Sequence, residues 1–277
     1  MRHYGAIIIG DEIMRGKRVD RHFSHLVAIL AAPQRRLHLS WARYLGDDRE
    51  RLSDTLRASF ASGDVVFCFG GIGVTPDDHT RQAAAAALGE PLELHPEAER
   101  EIRNRMQQSQ QPLTPERLEL GHFPRGSRII PNPFNRIPGF SFADHHFLPG
   151  FPQMAWPMAE WVLDHYYADD YCGATDAEAS LLVWRGLESQ LLTLMKRVET
   201  QFPDIKVFSL PSFGDATRPQ HIELGARGAA PAVAAAINEL RAGVIAAGFE
   251  CEDNPPPTPA EDKAQEGASK PPQPGDQ

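Results

Sequence analysis

The chain has 277 residues, which at ~150 residues per domain suffices for one large domain and a smaller one. Hydrophobic residues make up 42% of it and charged residues 23%, a balance that excludes a wholly disordered or collagen-like chain. The formal net charge is -9 and the lysines and arginines are scattered, so a nucleic-acid partner is not expected.

Alternating strands and helices occupy the first ninety residues. Apolar side chains at helical spacing indicate the helices, while alternating or continuous apolar runs indicate the strands. In chain order, the pattern predicts a strand at 4–9, a helix at 19–31, a strand at 36–44, a helix at 48–61, a strand at 64–69 and a helix at 81–88. This order and the short connections predict a doubly wound or three-layer α/β domain.

The pattern is weaker between residues 95 and 167. Residues 95–120 predict a charged helix on the surface, and residues 129–152 are rich in proline, glycine and asparagine, which favours loops. Residues 151–167 predict a closing helix. Its predicted buried side carries Trp156, Trp161, Val162 and Tyr166.

A change of composition at residues 169–173 marks the end of this domain. Beyond it, the chain predicts a strand at 179–183, a helix at 188–202, strands near 206–210 and 221–224, a helix at 231–247 and a sixth element at 249–252. This order suits a small ferredoxin-like α+β domain. The expected parts are therefore an α/β domain at 1–170, a small α+β domain at 174–254 and a disordered proline-rich tail at 255–277.

Two general features bear on the compartment of the protein. Cys68, Cys172 and Cys251 are far apart and form no CxxC pair, which fits a reducing compartment without a structural zinc site. No apolar run reaches the ~18 residues that a membrane helix needs. We therefore expect a cytoplasmic protein without a membrane partner.

A glycine-rich segment gives the strongest local signal of a ligand site. It follows the strand at 64–69 and reads Gly70-Gly71-Ile72-Gly73-Val74-Thr75-Pro76-Asp77-Asp78-His79-Thr80. Glycines let the backbone approach a ligand, and the N–H groups at the start of the next helix can hold a phosphate. Asp77 and Asp78 would repel that phosphate, which suggests a bridging divalent cation such as Mg²⁺. The alternative is that Asp78 or Thr80 only caps the helix.

Acidic residues also follow the first two strands. Gly10-Asp11-Glu12 lies at the carboxyl end of the first strand, where open α/β sheets bind ligands. Glu12 suits a ligand hydroxyl or amine, but it equally suits the dipole of a following helix. Asp48 is better placed as a helix cap, and Asp47 is the functional candidate if the three strand ends converge.

Other chemistries have little support in the sequence. His145 and His146 are adjacent and would point to opposite faces of a strand, which disfavours one shared metal ion. His22 and His25 lack the acidic partner of a recognised zinc helix. The sequence contains no GxSxG elbow and no Walker A loop, so covalent-hydrolase and P-loop mechanisms are not expected.

Four segments together resemble the molybdopterin-binding MoaB/Mog-type family. The nearest branches are the N-terminal part of competence/damage-inducible protein A (CinA-like proteins) and the front domain of FAD synthases. The resemblance covers about residues 4–168, and Gly186-Leu187-Glu188-Ser189 links the small domain more weakly to the middle domain of the same proteins. The segments are Gly10–Ile13 with Gly16, Gly70–Thr80, Asn132-Pro133 leading to Pro138–Phe140, and Leu148–Met154.

The resemblance implies a three-layer α/β/α domain that binds a pterin phosphate or a nucleotide diphosphate with a divalent metal. It implies adenylylation of molybdopterin in the Mog branch and pyrophosphate hydrolysis of ADP-ribose or FAD in the other two. Asp47 and Asp78 would be the metal-binding and catalytic carboxylates. The residues implied at the ligand and its phosphates are Gly10, Glu12, Gly70, Gly71, Gly73, Thr80, Pro149 and Gly150.

Three functions remain open from the sequence. The first is metal-dependent hydrolysis of a nucleotide diphosphate, the second a binding module without turnover, and the third adenylyl transfer to molybdopterin. Departures from the family pattern, such as Val74 in place of the common proline and the bulky Phe151, prevent transfer of the substrate. The expected partner is a small nucleotide or pterin, and the family implies a homo-oligomer.

Overall fold

The computed structural model describes residues 2–171, 176–214 and 219–254. The chain divides into two compact units, residues 1–174 and residues 175–277, and each unit has its own hydrophobic core. The predicted tail at 255–277 and Cys172 lie outside the described residues. In the described ranges, no helix combines the length and the apolar character required to cross a bilayer.

The first unit is built on a six-stranded sheet in the order β2-β1-β3-β8-β7-β6. Its strands are β1 Tyr4–Ile9, β2 Leu39–Leu45, β3 Val65–Phe69, β4 Leu92–Leu94, β5 His122–Pro124, β6 Arg128–Ile130, β7 Gly139–Phe142 and β8 His145–Leu148. β4 and β5 form a separate antiparallel pair. The first four strands of the large sheet are parallel, whereas β7 and β6 are antiparallel to their neighbours.

Helices cover both faces of this sheet. They are α1 Asp11–Met14, α2 His22–Ala31, α3 Arg49–Phe60, α4 Thr80–Leu88, α5 Pro96–Gln108, α6 Pro115–Glu119 and α7 Pro152–Tyr166. α2 and α7 share one apolar core with the sheet, and α3, α4 and α5 share the other. Successive residues of a strand point to opposite faces, so Ile8 enters the first core and Ile7 the second. The predicted three-layer α/β/α fold is confirmed.

Residues 129–152 differ most from their predicted structure. The segment provides β7, β8 and most of β6, which is half of the sheet, instead of the predicted loops. These strands have only three or four residues each, so the proline and glycine of their turns dominate the sequence pattern. Phe140 and Phe147 nonetheless stack face to face with ring centroids 4.4 Å apart.

Two helical segments also differ from the prediction, one in its buried face and the other in the number of its helices. α7 buries Ala155, Met158, Ala159 and Leu163 beside Val162, while Trp156, Trp161 and Tyr166 are only partly buried. Ala155 and Ala159 on this buried face let the helix pack closely on the sheet. The predicted helix at 95–120 is two helices, α5 and α6.

The second unit has the predicted ferredoxin-like order of elements. It contains β9 Asp176–Trp184, α8 Glu188–Gln201, β10 Lys206–Ser212, β11 His221–Ala229, α9 Ala230–Ala246 and β12 Cys251–Asn254. The strands form an antiparallel sheet in the order β10-β11-β9-β12, and both helices contribute to a single core with it.

Two buried histidines begin strand β8 and contribute to the stability of the first unit. The His145 ring nitrogen Nε2 lies 2.8 Å from Ser59 Oγ, and the His146 ring contacts the hydroxyls of Ser141 and Tyr167. Burial lowers the pKa of His145 to about 4, although Asp144 and Asp64 oppose that shift. Burial also lowers the pKa of His146, and His145 and Arg128 lower it further. Both rings are therefore neutral in the folded protein at neutral pH.

We expect the first unit to lose stability in mild acid. An unfolded histidine takes up its proton near pH 6.5, whereas folded His145 does so only near pH 4. The contribution of the neutral His145 ring to the free energy of unfolding is thus complete above pH 6.5. It decreases as the pH falls and is about 2 kcal/mol smaller at pH 5. Urea unfolding at pH 7 and pH 5, followed by tryptophan fluorescence, measures the loss. If a His145→Gln variant lost as much free energy of unfolding between pH 7 and pH 5 as wild type, this assignment would be wrong.

Candidate functional site

The candidate site lies where the four parallel strands end. β2, β1, β3 and β8 end at Leu45, Ile9, Phe69 and Leu148, and their carboxyl ends share one edge of the sheet. The chain crosses from β2 over β1 to reach β3, so the strand order reverses between β1 and β3. Open α/β sheets bind ligands at such a reversal, because the loops on its two sides diverge and leave a crevice.

A cavity of about 610 Å³ occupies this crevice. Most of the predicted site residues line it, namely Gly10, Glu12, Asp47, Gly70, Gly71, Gly73, Asp77, Asp78, Pro149 and Gly150. Thr80 is fully buried instead, and its hydroxyl donates to the carbonyl oxygen of Gly70 at 3.0 Å. The structure therefore brings the predicted residues to one cavity, with Thr80 behind its wall.

The glycine-rich segment forms the floor of the cavity with a close-packed backbone. Gly70 has φ +104° and Gly71 φ +68°, a region that side chains other than glycine rarely adopt. A Cβ atom at Gly70 would lie 2.2 Å from the Ile9 carbonyl oxygen, and one at Gly71 would lie 2.2 Å from Thr80 Oγ1. Glycine is therefore required at both positions by conformation and by space.

Four consecutive backbone N–H groups of this segment are free to bind a ligand. Within the described part of the chain, Gly71, Ile72, Gly73 and Val74 donate no backbone hydrogen bond, and all four residues line the cavity. The carbonyl groups of Gly70 and Gly71, by contrast, accept hydrogen bonds from Thr80. Free backbone N–H groups that line a cavity can bind anions such as phosphate.

Asp47 faces the cavity from the end of β2 and is held by the start of α1. Its Oδ2 atom accepts the backbone N–H of Asp11 at 2.8 Å, and Asp11 Oδ1 in turn accepts the N–H of Asp47 at 3.3 Å. Burial raises the pKa of Asp47, and the nearby carboxylates of Asp11, Glu12 and Asp77 raise it further. The carboxylates of Glu12 and Asp77 line the same cavity as Asp47.

Asp77 and Asp78 are bound to their own loop. The Thr75 hydroxyl lies 2.6 Å from Asp77 Oδ1 and 2.5 Å from Asp78 Oδ2, and the Thr75 N–H donates to Asp78 Oδ2 at 2.9 Å. The hydrogen bond from Thr75 is the main cause that lowers the pKa of Asp77. Gly73 leaves room for the Asp78 carboxylate, since a Cβ there would lie 2.4 Å from its Oδ2.

The donor atoms in the cavity suit a hard divalent cation only in part. Carboxylate oxygens are the ligands that Mg²⁺ prefers, and it usually combines one or two of them with water and substrate phosphates. Among the described residues, however, no group of three or more His, Cys, Asp or Glu side chains could hold a metal ion. Two carboxylates such as those of Asp47 and Asp78 would need a phosphate ligand and water to complete the coordination of an ion.

Apolar residues form a further part of the cavity, and among them the sequence analysis missed Leu120 and Ile137. Most of the apolar residues come from the loops after β3, β6 and β8, and no periodic pattern marks such loop positions in a sequence. They are Ile72, Val74, Leu120, Ile137, Pro138, Phe151 and Met154. Arg18 is the one cationic side chain among the lining residues. The cavity thus combines a polar end for phosphates with an apolar wall suited to a planar ring.

Comparison with known sequences identifies the first unit. Residues 5–168 match the sequence profile of the family described as "Probable molybdopterin binding domain". A CinA-like protein of Anaeromyxobacter sp. is 36% identical over 169 residues, which cover 58% of this chain and 40% of the relative. A CinA-like protein of Desulforapulum autotrophicum is 32% identical over 207 residues, which cover 71% of this chain and 48% of the relative. The matches span less than half the length of these relatives.

A solved structure supports the fold of the same region. The protein CinA from Thermoplasma acidophilum, described as having unknown function, superposes with a TM-score of 0.53 at 24% identity. The match covers 59% of this chain and 98% of that one. At this identity, the likeness concerns the fold alone.

Proposed function

The chain belongs, through residues 5–168, to the molybdopterin-binding MoaB/Mog-type family, and from this premise we propose that it is a metal-dependent pyrophosphatase of a nucleotide diphosphate. The substrate class is that of ADP-ribose or FAD, in which two phosphates join two larger groups. The observation that carries the proposal is the run of four free N–H groups, which lies in the same cavity as Asp47 and Asp78.

Each end of the cavity has a role in this reaction. A bound divalent cation would supply charge neutralisation of the phosphates and a nucleophilic water, held by Asp47, Asp78 and the phosphates themselves. The free N–H groups of the glycine-rich segment would stabilise negative charge on the departing phosphate. Water adds to one phosphorus atom, the bridging P–O bond breaks, and two phosphate monoesters leave.

A binding module without turnover is the second candidate, and a specific observation favours it. The carboxylates of Asp47 and Asp78 already accept backbone hydrogen bonds from Asp11 and Thr75. Such bonds are what a merely structural carboxylate would make, as in a helix cap or a tight turn. In this case the cavity would hold a nucleotide or a pterin without hydrolysing it.

One assay separates these functions. The purified protein is incubated with ADP-ribose, with FAD, or with ATP plus molybdopterin, each with and without Mg²⁺ or Co²⁺, and the products are separated by chromatography. We expect metal-dependent release of AMP from ADP-ribose or FAD. Release of pyrophosphate from ATP only when molybdopterin is present would identify an adenylyltransferase. A ligand that raises the melting temperature without any product would identify the binding module.

A further inference from the structure

Arg81 is a buried arginine directly behind the glycine-rich segment. It is the second residue of α4 and only 3% exposed. Arginine is almost never so deeply buried unless it is paired. No carboxylate within ion-pair distance of Arg81 is found among the described residues. A buried cation that is held by neutral groups alone requires an explanation.

Backbone carbonyl groups hold this side chain from two sides. Its Nη2 atom donates to the Gly73 carbonyl oxygen at 2.5 Å, and its Nη1 atom donates to the carbonyl oxygen of Glu119. Nη1 also lies 3.4 Å from the carbonyl oxygen of His122. The guanidinium group therefore joins the glycine-rich segment to the end of α6, next to Leu120 of the cavity lining.

These bonds determine the direction of the free N–H groups. A trans peptide unit is planar, and its C=O and N–H bonds point in opposite directions. Because Arg81 binds the Gly73 carbonyl from behind, the N–H of Val74 points away from Arg81. Thr80 holds the carbonyl groups of Gly70 and Gly71 in the same way, so α4 fixes three peptide units of the glycine-rich segment.

The charge of Arg81 also opposes the acidic character of the cavity. Burial lowers the pKa of Arg81, while Glu119 and Asp78 raise it. Arginine keeps its proton in proteins, so the group remains a cation. Four carboxylates and Arg18 line the cavity, and a charge buried behind its floor is less screened by water than one on the surface.

We propose that Arg81 is a positioning residue that holds the N–H groups of the glycine-rich segment toward the cavity and thereby sets its affinity for the phosphates of the ligand. The inference rests on the proposed function, since it assigns a determinant of the same phosphate site. Arg81 itself does not touch the ligand. It acts through the Gly73 carbonyl and through its buried charge.

The test compares the binding of inorganic pyrophosphate, with Mg²⁺, by isothermal titration calorimetry to wild type, Arg81→Gln and Arg81→Lys. Glutamine loses the charge and the bridge between Gly73 and Glu119, so we expect about tenfold weaker binding, equivalent to one charge-assisted hydrogen bond. Lysine keeps the charge but lacks the planar fork, so we expect an intermediate affinity, about threefold weaker than wild type.

Arg35→Gln is the matched control. Arg35 is similarly buried, at 5% exposure, and is bound to Asp164 and to the Ile29 carbonyl oxygen away from the cavity. Arg35→Gln should lose stability without losing pyrophosphate affinity. If its pyrophosphate affinity fell as much as that of Arg81→Gln, the role of Arg81 would be merely structural.

The remaining outcomes are also decisive. If wild type binds pyrophosphate and both Arg81 variants bind it equally well, the inference fails and the proposed function stands. If wild type does not bind pyrophosphate, the inference fails, and the turnover assay with ADP-ribose and FAD decides the proposed function separately. If Arg81→Gln does not fold, Arg81→Lys decides, and wild-type affinity in that variant overturns the inference.

Discussion

Replacing Gly70 by alanine should lower the free energy of unfolding of the first unit by at least about 3 kcal/mol. The added Cβ atom would lie 2.2 Å from the Ile9 carbonyl oxygen, a backbone atom at the end of β1, which is held between β2 and β3 and cannot move aside. The φ of +104° adds a further cost for any residue with a side chain. Urea unfolding followed by tryptophan fluorescence measures the change.

Gly63→Ala is the control for the backbone contribution. Gly63 has φ +75°, and a Cβ atom there would meet nothing within 4 Å. Gly63→Ala should therefore lower the free energy of unfolding by about 1 kcal/mol, which is the cost of the left-handed conformation alone. Equal losses at the two positions would show that the close approach of β1 and β3 is not what requires glycine at Gly70.

Asp78→Asn should reduce the turnover of ADP-ribose or FAD more than about tenfold while leaving the melting temperature near that of wild type. The amide oxygen of asparagine can still accept the hydrogen bond from the Thr75 N–H, so the loop keeps its shape. The negative charge that would hold a divalent cation is lost. Product release and thermal unfolding, measured on the same preparation, give both quantities.

Asp48→Asn is the matched control for the carboxylates of the site. Asp48 caps α3 by accepting the Arg51 N–H at 2.8 Å and does not line the cavity. Asparagine is as good a helix cap as aspartate, so neither turnover nor stability should change. Loss of the fold in Asp78→Asn, with turnover retained by the folded fraction, would mean that Asp78 is structural.

The convergence of the site was predictable because parallel strands end at one edge of a sheet. Gly10, Asp47 and Gly70 each directly follow or lie next to the end of such a strand, so identifying the strands placed these residues together. Long strands that are buried on both faces have clear patterns. The last wall of the cavity, at Pro149 and Gly150, was predicted from the family resemblance instead.

Other features depend on tertiary contacts that leave no local signal. An arginine in the first turn of a helix, such as Arg81, resembles any exposed charge until the chain that covers it is known. Trp156 and Trp161 were predicted on the buried side of α7, yet Met158 and Leu163 are buried there and the two indole rings are only partly buried. Short antiparallel strands such as β6 carry too few residues for a period to be recognised.

The position of β8 has a consequence for how the protein acquires its cavity. In the pairing of β3 with β8, Val66 lies opposite His145, 79 positions later in the chain, and β8 also joins the four parallel strands to β7 and β6. Contacts between such distant segments form slowly, because closing the long intervening loop costs conformational entropy. The cavity is therefore complete only once Pro149 and Gly150 face the glycine-rich segment. A ligand that needs both walls selects molecules that have completed folding.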